Sequence, residues 1–599
     1  MSVPLGRGQT PEERGQSPSQ PPHASRVTRH ASLVILLALA GLLLFLGLGT
    51  LGLTDRDEGS NAEAAREMVE TGNWISPTLN YEPRFAKPVF IYWLMSGAYR
   101  LLGESEFTAR LPSAVFALAL VLLQSLFLTR LRGPEAGLLG GLMLILNVEM
   151  VAIGRLALTD SVLIFFTTLA LYGFWLGLHA GDREHHYFWL FYVGMALATL
   201  TKGPVGVVVP LLAVVPYLTL ARSWGDFRRR GFPLAGTLLS LALAVPWYAT
   251  MLAIHGSRYT ASAQADTIGR FLNVIGGHGG TVFFYVPVLL FGFFPWSAFL
   301  PVAIFQALKH WREARGEGPE EKSALAPSPL PLASRPPALQ ELELFAALWV
   351  VGAFLFFSLS STRLPHYIGP LFPASAILTS SYWSRCLRDP ATPGLRASLR
   401  TLMGLGYLLG LGLAASPALY AAFVDKIAKE FPVAPHIDPG LGPPVAGMVL
   451  LVGMALAGYS GLTKERRSGV FWTAGATICL VLLIAIQFTL PRFSTYFVAP
   501  PQELAYTAGL NLGPEDHLIL YGPPRPSLIF YARRKVTVIR PGQEADMRPY
   551  LSPDPPRRTM ILLPSRLRSQ LPPEAAVFPV ILERYGYSLL ANEPMIKLP

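Results

Sequence analysis

The apolar residues of this chain are gathered into runs of roughly 18–25 residues, the length a helix needs to cross about 30 Å of hydrocarbon. About thirteen such runs begin near residues 32, 111, 135, 158, 187, 203, 232, 281, 343, 366, 401, 443 and 470. In lipid every backbone polar group must be satisfied within the segment, so runs of this kind are read as helices. Of 599 residues, 51% are hydrophobic and only 15% are charged, whereas soluble domains carry about 25% charged residues. The expected fold is therefore an all-α polytopic membrane domain, residues 32–490. Residues 1–31, rich in Pro, Ser and Arg, read as a disordered cytoplasmic tail. The run Ser32–Leu53 is too long for a signal-peptide core and is taken as the first span.

The connections set the orientation. Alternate ones are basic: Arg26 and Arg29, Arg130–Arg132, Arg183, Arg222 with Arg228–Arg230, Lys309–Arg315, Arg385–Arg400 and Lys464–Arg467. The positive-inside rule places these in the cytoplasm. The formal net charge of +11 is spread over these loops, so it reports orientation and gives no reason to expect a nucleic acid partner. The opposite face receives the loop 54–110, the loop 255–280, the segment around Leu364–Tyr367 and the region 491–599. Short apolar runs at His517–Tyr521, Val536–Ile539 and Thr559–Leu563, bounded by Pro and Gly, make that last region a small α/β domain. Residues 316–342, rich in Pro, Glu and Ser, read as a flexible cytoplasmic linker. Cys386 falls in a cytoplasmic loop and Cys479 inside a span, so no disulfide is expected.

The first outer loop is the most informative stretch. Asp55-Arg56-Asp57-Glu58 follows the first span, and Asn61-Ala-Glu63-Ala-Ala-Arg66-Glu67-Met68 continues it with helical periodicity. Trp74-Ile75-Ser76-Pro77, then Phe85-Ala86-Lys87-Pro88 and Ile91-Tyr92-Trp93, suit helices lying along the headgroup layer. The loop thus presents acids at the end of one span and a lysine at the start of the next helix. Taken alone, such acids could equally be solvated helix-end residues, and the lysine a snorkelling headgroup anchor.

The order Asp-Glu-x-x-x-Ala-Glu-x-x-Arg-Glu-Met, Trp-Ile-x-Pro and Lys-Pro-x-x-x-Tyr-Trp resembles the first outer loop of the aminoarabinose transferases. That family is related to the protein O-mannosyltransferases within the GT-C class of polyprenyl-phosphate-sugar-dependent enzymes. Further matches follow in order: Arg155 with Asp160, Leu200-Thr-Lys-Gly-Pro204, Arg270-Phe271, His278, Tyr285, Pro295-Trp296, Leu364-Pro-His-Tyr367 and Pro370-Leu-Phe-Pro373. The resemblance spans roughly residues 32–490 and implies a GT-C-like membrane domain. It further implies an inverting pentosyl- or hexosyltransferase that takes its sugar from an undecaprenyl-phosphate-type donor. The acceptor would be a lipid (lipid A-like), glycan or protein outside the cytoplasm.

On this resemblance the expected catalytic residues are Asp57, Glu58 and Asp160. The expected substrate-binding residues are Lys87, Lys202, Arg270, His278, Tyr285 and Tyr367. Loss of the sugar leaves extra negative charge on the lipid phosphate, which calls for preorganised cations and donors; an acceptor hydroxyl calls for a carboxylate base. No cofactor is required, and a divalent metal is compatible with the pattern without being needed by it. This chain departs from the family at Ser60, Asn61 and Ala86, where arginine, tyrosine and glutamate are common, which leaves sugar and acceptor open. The alternatives are a protein O-mannosyltransferase-like enzyme and, from another class, a transporter or flippase of lipid-linked sugars.

Overall fold

The computed structural model describes residues 22–179, 184–274, 277, 279–314, 338–389, 391–429, 433–462, 467–551 and 557–593. The linker expected at 316–342 therefore lies almost wholly outside the described residues, as do 1–21 of the expected tail. Helix α1 (Pro22–Phe45) begins ten residues before the expected span. The outer loop follows as α2 (Asp57–Thr71), the strands β1 (Thr78–Leu79) and β2 (Glu82–Pro83), and α3 (Phe90–Leu102). The bundle continues with α4 (Glu106–Arg132), α5 (Pro134–Ile145), α6 (Val148–Arg155), α7 (Asp160–His179), α8 (Phe188–Lys202), α9 (Val205–Leu220), α10 (Trp224–Arg230) and α11 (Pro233–His255). Short pieces α12 (Ser257–Gln264), α13 (Arg270–Leu272) and α14 (Tyr285–Gly292) precede α15 (Leu300–Glu313), α16 (Ala338–Leu359) and α17 (Phe372–Arg388). The last helices of the bundle are α18 (Leu395–Ala414), α19 (Ser416–Ala428), α20 (Gly442–Leu462) and α21 (Arg467–Ile484).

Among the described residues seven helices are long and apolar enough to cross a membrane, or nine if each of two bent pairs counts once. Nine of the thirteen expected runs coincide with these helices and bent pairs. The other four, near 32, 187, 281 and 366, do not pass as long apolar helices: the apolar part of α1 is Arg29–Phe45, α8 has 15 residues, α14 has 8, and a 3-10 turn at Pro365–Leu371 precedes α17. Proline starts or interrupts several of these pieces, because it lacks the N–H that would continue the ladder. The chain is a multi-pass integral membrane protein whose main core is one continuous apolar cluster through the bundle. Cys386 and Cys479 form no disulfide.

The last helical run is continuous from Ser468 to Asn511, passing through the expected boundary at 491 and leading directly onto a small sheet. Five strands follow: β3 (His517–Tyr521), β4 (Thr537–Ile539), β5 (Thr559–Pro564), β6 (Val580–Arg584) and β7 (Tyr587–Ala591). They lie in the order β4-β3-β5-β7-β6. β3 runs parallel to β4 and β5, and β7 runs antiparallel to β5 and β6. Alternation sorts Leu518 and Leu520 to one face, against Leu504, Ala505 and Ala508, and Ile519 and Tyr521 to the other.

This sheet domain docks on the outer loop. Asn80 and Tyr81 adopt positive φ at the tip of the β1–β2 hairpin, as a tight two-residue turn demands. The Asn80 side chain donates to the Val536 carbonyl and accepts from the Val536 N–H, both at 2.8 Å. Asp55 accepts from the Ser527 N–H at 3.0 Å. Gly59 of α2 sits so close to Ser527 that an added Cβ would lie 2.6 Å from its backbone nitrogen.

Candidate active site

Six elements converge at one end of the bundle: the start of α2, the loop after β2, the start of α7, the end of α8, α13, and the 3-10 turn at Pro365–Leu371. They bring Asp57, Lys87, Asp160, Lys202, Arg270 and Tyr367 together. Lys202 donates to Asp160 Oδ1 at 2.7 Å in a largely buried pair, and its Nζ lies 4.6 Å from the centre of the Tyr367 ring. His366 Nε2 is 4.0 Å from the other oxygen of Asp160. Arg270 is held by Asp266 at 2.9 Å and has the Tyr367 hydroxyl beside its guanidinium.

Asp57 and Lys87 form the other half of the cluster. Burial alone would raise the Asp57 carboxyl, but Lys87, His366, Lys202 and Arg84 around it bring it below the ordinary carboxylate value. Burial pushes the Lys87 ammonium down to about 8, with Asp57 opposing and Lys202 and Arg270 adding to the shift. Among the described residues neither group is closed into an ion pair. A half-buried acid and a half-buried base are therefore left available to a ligand. Opposite charges gathered with shifted protonation in one place mark a candidate functional site.

Glu58, adjacent in sequence, is placed elsewhere. It is 1% exposed and both its oxygens are occupied. Arg110 donates to them at 2.7 and 3.0 Å, Ala157 N–H at 2.9 Å, and the Thr54 N–H and hydroxyl at 2.7 and 2.9 Å. It anchors α2 to α4 and to the start of α7. Arg155 does not pair with Asp160; it donates to the carbonyls of Leu43, Leu44 and Gly47 where α1 ends. Tyr285 is fully buried and donates to the Leu364 carbonyl at 3.2 Å, bracing the segment that carries His366 and Tyr367. His278 lies outside the described residues.

Three residues of the site were not singled out from sequence. His366 stands inside the quoted Leu364-Pro-His-Tyr367 motif, and its histidine chemistry beside an acid was the available signal. Arg84, three residues before Lys87, donates to the Tyr92 hydroxyl at 3.0 Å; the density of charge in Pro83–Lys87 pointed to it. Asp266, the partner of Arg270, is separated from it by one helical turn. Among the described residues no three His, Cys, Asp or Glu side chains gather to hold a metal ion, and Ala86 contributes no carboxylate next to Lys87.

Residues 57–260 match the dolichyl-phosphate-mannose-protein mannosyltransferase family. The chain is 27% identical over 442 residues to the undecaprenyl phosphate-alpha-4-amino-4-deoxy-L-arabinose arabinosyl transferase of Edwardsiella ictaluri, covering 73% of this chain and 72% of that one. It is 28% identical to the Pseudomonas aeruginosa protein of the same name, over 76% of each. The fold is similar to the crystal structure of ArnT from Cupriavidus metallidurans bound to undecaprenyl phosphate, with a TM-score of 0.73, 23% identity, and 94% and 98% of the two chains covered. With a mannosyltransferase match that starts on Asp57 and arabinosyl transferase relatives along three quarters of its length, the chain is similar to the GT-C glycosyltransferases of the aminoarabinose transferase and protein O-mannosyltransferase superfamily.

Proposed function

We propose that this protein transfers a sugar from a polyprenyl-phosphate donor of the undecaprenyl type to an acceptor outside the cytoplasm. The observation that carries this reading is the juxtaposition of a half-buried Asp57 and Lys87, neither closed into an ion pair, beside the Lys202–Asp160 pair at one end of an apolar bundle. The acceptor oxygen attacks the anomeric carbon, the bond from that carbon to the phosphate oxygen breaks, and its electrons leave with the lipid phosphate. Lys87 and Arg270, with the Tyr367 hydroxyl, stabilise the charge that gathers on that phosphate. Arginine suits the phosphate as a planar two-point donor, lysine as a point charge.

If the acceptor is a hydroxyl, Asp57 takes its proton. If it is a phosphate, already anionic, Asp57 stabilises the positive charge developing on the sugar instead. Asp160 fixes Lys202 at 2.7 Å and keeps a second oxygen near His366, an arrangement suited to holding sugar hydroxyls. Glu58 acts at one remove, by fixing the backbone on which Asp57 sits. The basic connections favour an orientation with the N-terminus in the cytoplasm and the site and the sheet domain on the opposite face.

The test is turnover of radiolabelled undecaprenyl-phosphate sugars by protein in nanodiscs. Release of free undecaprenyl phosphate together with a labelled product supports the reading. Movement of intact donor between leaflets without release would replace it with the transport alternative.

A further inference from the structure

A groove of about 1430 Å³ lies between α18 and α20, with Val470 of α21 also lining it, far from the site described above. α17 begins beside Tyr367 and ends at Arg388 after 17 residues, a rise of about 25 Å. The groove opens just past that end. One wall is a stripe on α18, with Arg396 and Arg400 followed by Met403 and Tyr407. The other wall is Ala455, Gly458 and Tyr459 of α20, small residues beside an aromatic one. Below it both helices expose Leu408, Leu411, Val452 and Leu456.

The charge in the groove is one-sided. Arg396 and Arg400 are exposed, and among the described residues neither has an ion-pair partner. The single carboxylate in the lining, Asp389, accepts the Ala391 N–H at 2.8 Å. The first turn of α18 carries no acid and its N-cap, Gly394, supplies no side-chain acceptor. Two guanidiniums thus stand over a helix end that itself favours an anion. From Arg396 to Tyr407 the helix rises about 16 Å, roughly half the hydrocarbon thickness. The groove has a cationic head and an apolar body one leaflet deep.

We propose that this groove binds an anionic phospholipid of the cytoplasmic leaflet, its phosphate on Arg396 and Arg400 and an acyl chain along Met403 and Tyr407. The occupant is a bilayer phospholipid and not the sugar donor, because the basic end is separated by about a bilayer from Lys87 and Arg270. Assignment of the leaflet rests on the orientation proposed above; binding itself does not.

The experiment is native mass spectrometry of the full chain in detergent, titrated with dioleoylphosphatidylglycerol, tetraoleoyl cardiolipin, dioleoylphosphatidylethanolamine or undecaprenyl phosphate. The readout is independent of membrane sidedness and of turnover. Phosphatidylglycerol and cardiolipin are expected to bind, and Arg396→Ala with Arg400→Ala to weaken them about thirtyfold at roughly fivefold per arginine, with undecaprenyl phosphate binding unchanged. Ala455→Trp, which fills the groove and keeps both arginines, is expected to give a similar loss. Equal binding of phosphatidylethanolamine, or full retention of the anionic lipids in either folded variant, would overturn the proposal. So would a loss confined to undecaprenyl phosphate.

Discussion

The two halves of the site are held in different ways. Asp57, Arg84 and Lys87 sit on a stretch fastened by buried ionic and backbone contacts. Glu58 is locked to Arg110, Arg66 makes a two-point pair with Glu63 at 2.8 Å, and Glu67 accepts the Tyr81 N–H that steadies the hairpin turn. The sheet domain closes over it through Asn80, Asp55 and Gly59. Arg270 instead lies on a short helix among exposed Ile268, Leu272, Val274 and Phe283. It is tied by the Thr362 N–H to the Arg270 carbonyl, the Ser361 N–H to that of Phe271, and the Thr362 hydroxyl to that of Asn273. The difference teaches a division of labour. The acid proposed to do the chemistry is placed by a fixed frame, while the arginine proposed to meet the donor rides on an apolar segment fitted to lipid.

Breaking the fixed half should have the largest consequences. Asp57→Asn is expected to lower turnover by about 10²–10⁴-fold, the contribution of a positioned acid–base group, without loss of fold. Glu58→Gln leaves Arg110 buried without its counter-charge and is expected to destabilise by about 3–5 kcal/mol, read as a drop in melting temperature in detergent. What remains folded should still turn over, which separates the two neighbouring acids.

Lys87 offers a pH test of intermediate size. Folding lowers its ammonium to about 8 from a value near about 10.4 in an unfolded chain. Between those values the unfolded chain holds the proton and the folded protein does not, so this group makes stability rise with pH. Donor capture goes the other way, since the phosphate loses its cation, and kcat/KM should fall about tenfold per unit once pH passes about 8. Lys87→Arg stays charged at any accessible pH and should remove that limb. A limb unchanged in Lys87→Arg would assign it to another group.

The other half gives the smallest effect. Thr362→Val removes one hydrogen bond to the Arg270 segment, a change of about 1 kcal/mol. It should speed amide exchange in residues 268–273 and raise KM for the donor more than it lowers kcat. Exchange in 57–71 should stay slow in the same protein. Equal protection of both segments in the wild type would remove the contrast.

Much of this was readable in the sequence. The apolar runs mark the long helices of the bundle, since burial in lipid leaves few other options. Three of the five sheet strands stand out as short apolar runs between Pro and Gly. β6 does not, because it ends in Leu582-Glu583-Arg584 and is half exposed; β7 was missed although it is buried throughout. Asp57 and Lys87 were legible through their motif. The role of Glu58 was not, because its partner Arg110 lies 52 residues away and nothing local distinguishes an anchored acid from a reacting one. Nor were the breaks around α14 and before α17, where a short helix and a 3-10 turn stand in place of long spans.

The most direct test of the account compares wild type with Asp57→Asn and Glu58→Gln in one assay. It measures the initial rate of undecaprenyl phosphate release per folded molecule, with folded protein counted by its melting transition. The account predicts an Asp57→Asn protein that melts like wild type and releases at least a hundredfold less, and a Glu58→Gln protein that melts earlier yet releases at a rate within about tenfold of wild type. Wild-type rates from folded Asp57→Asn protein would contradict it.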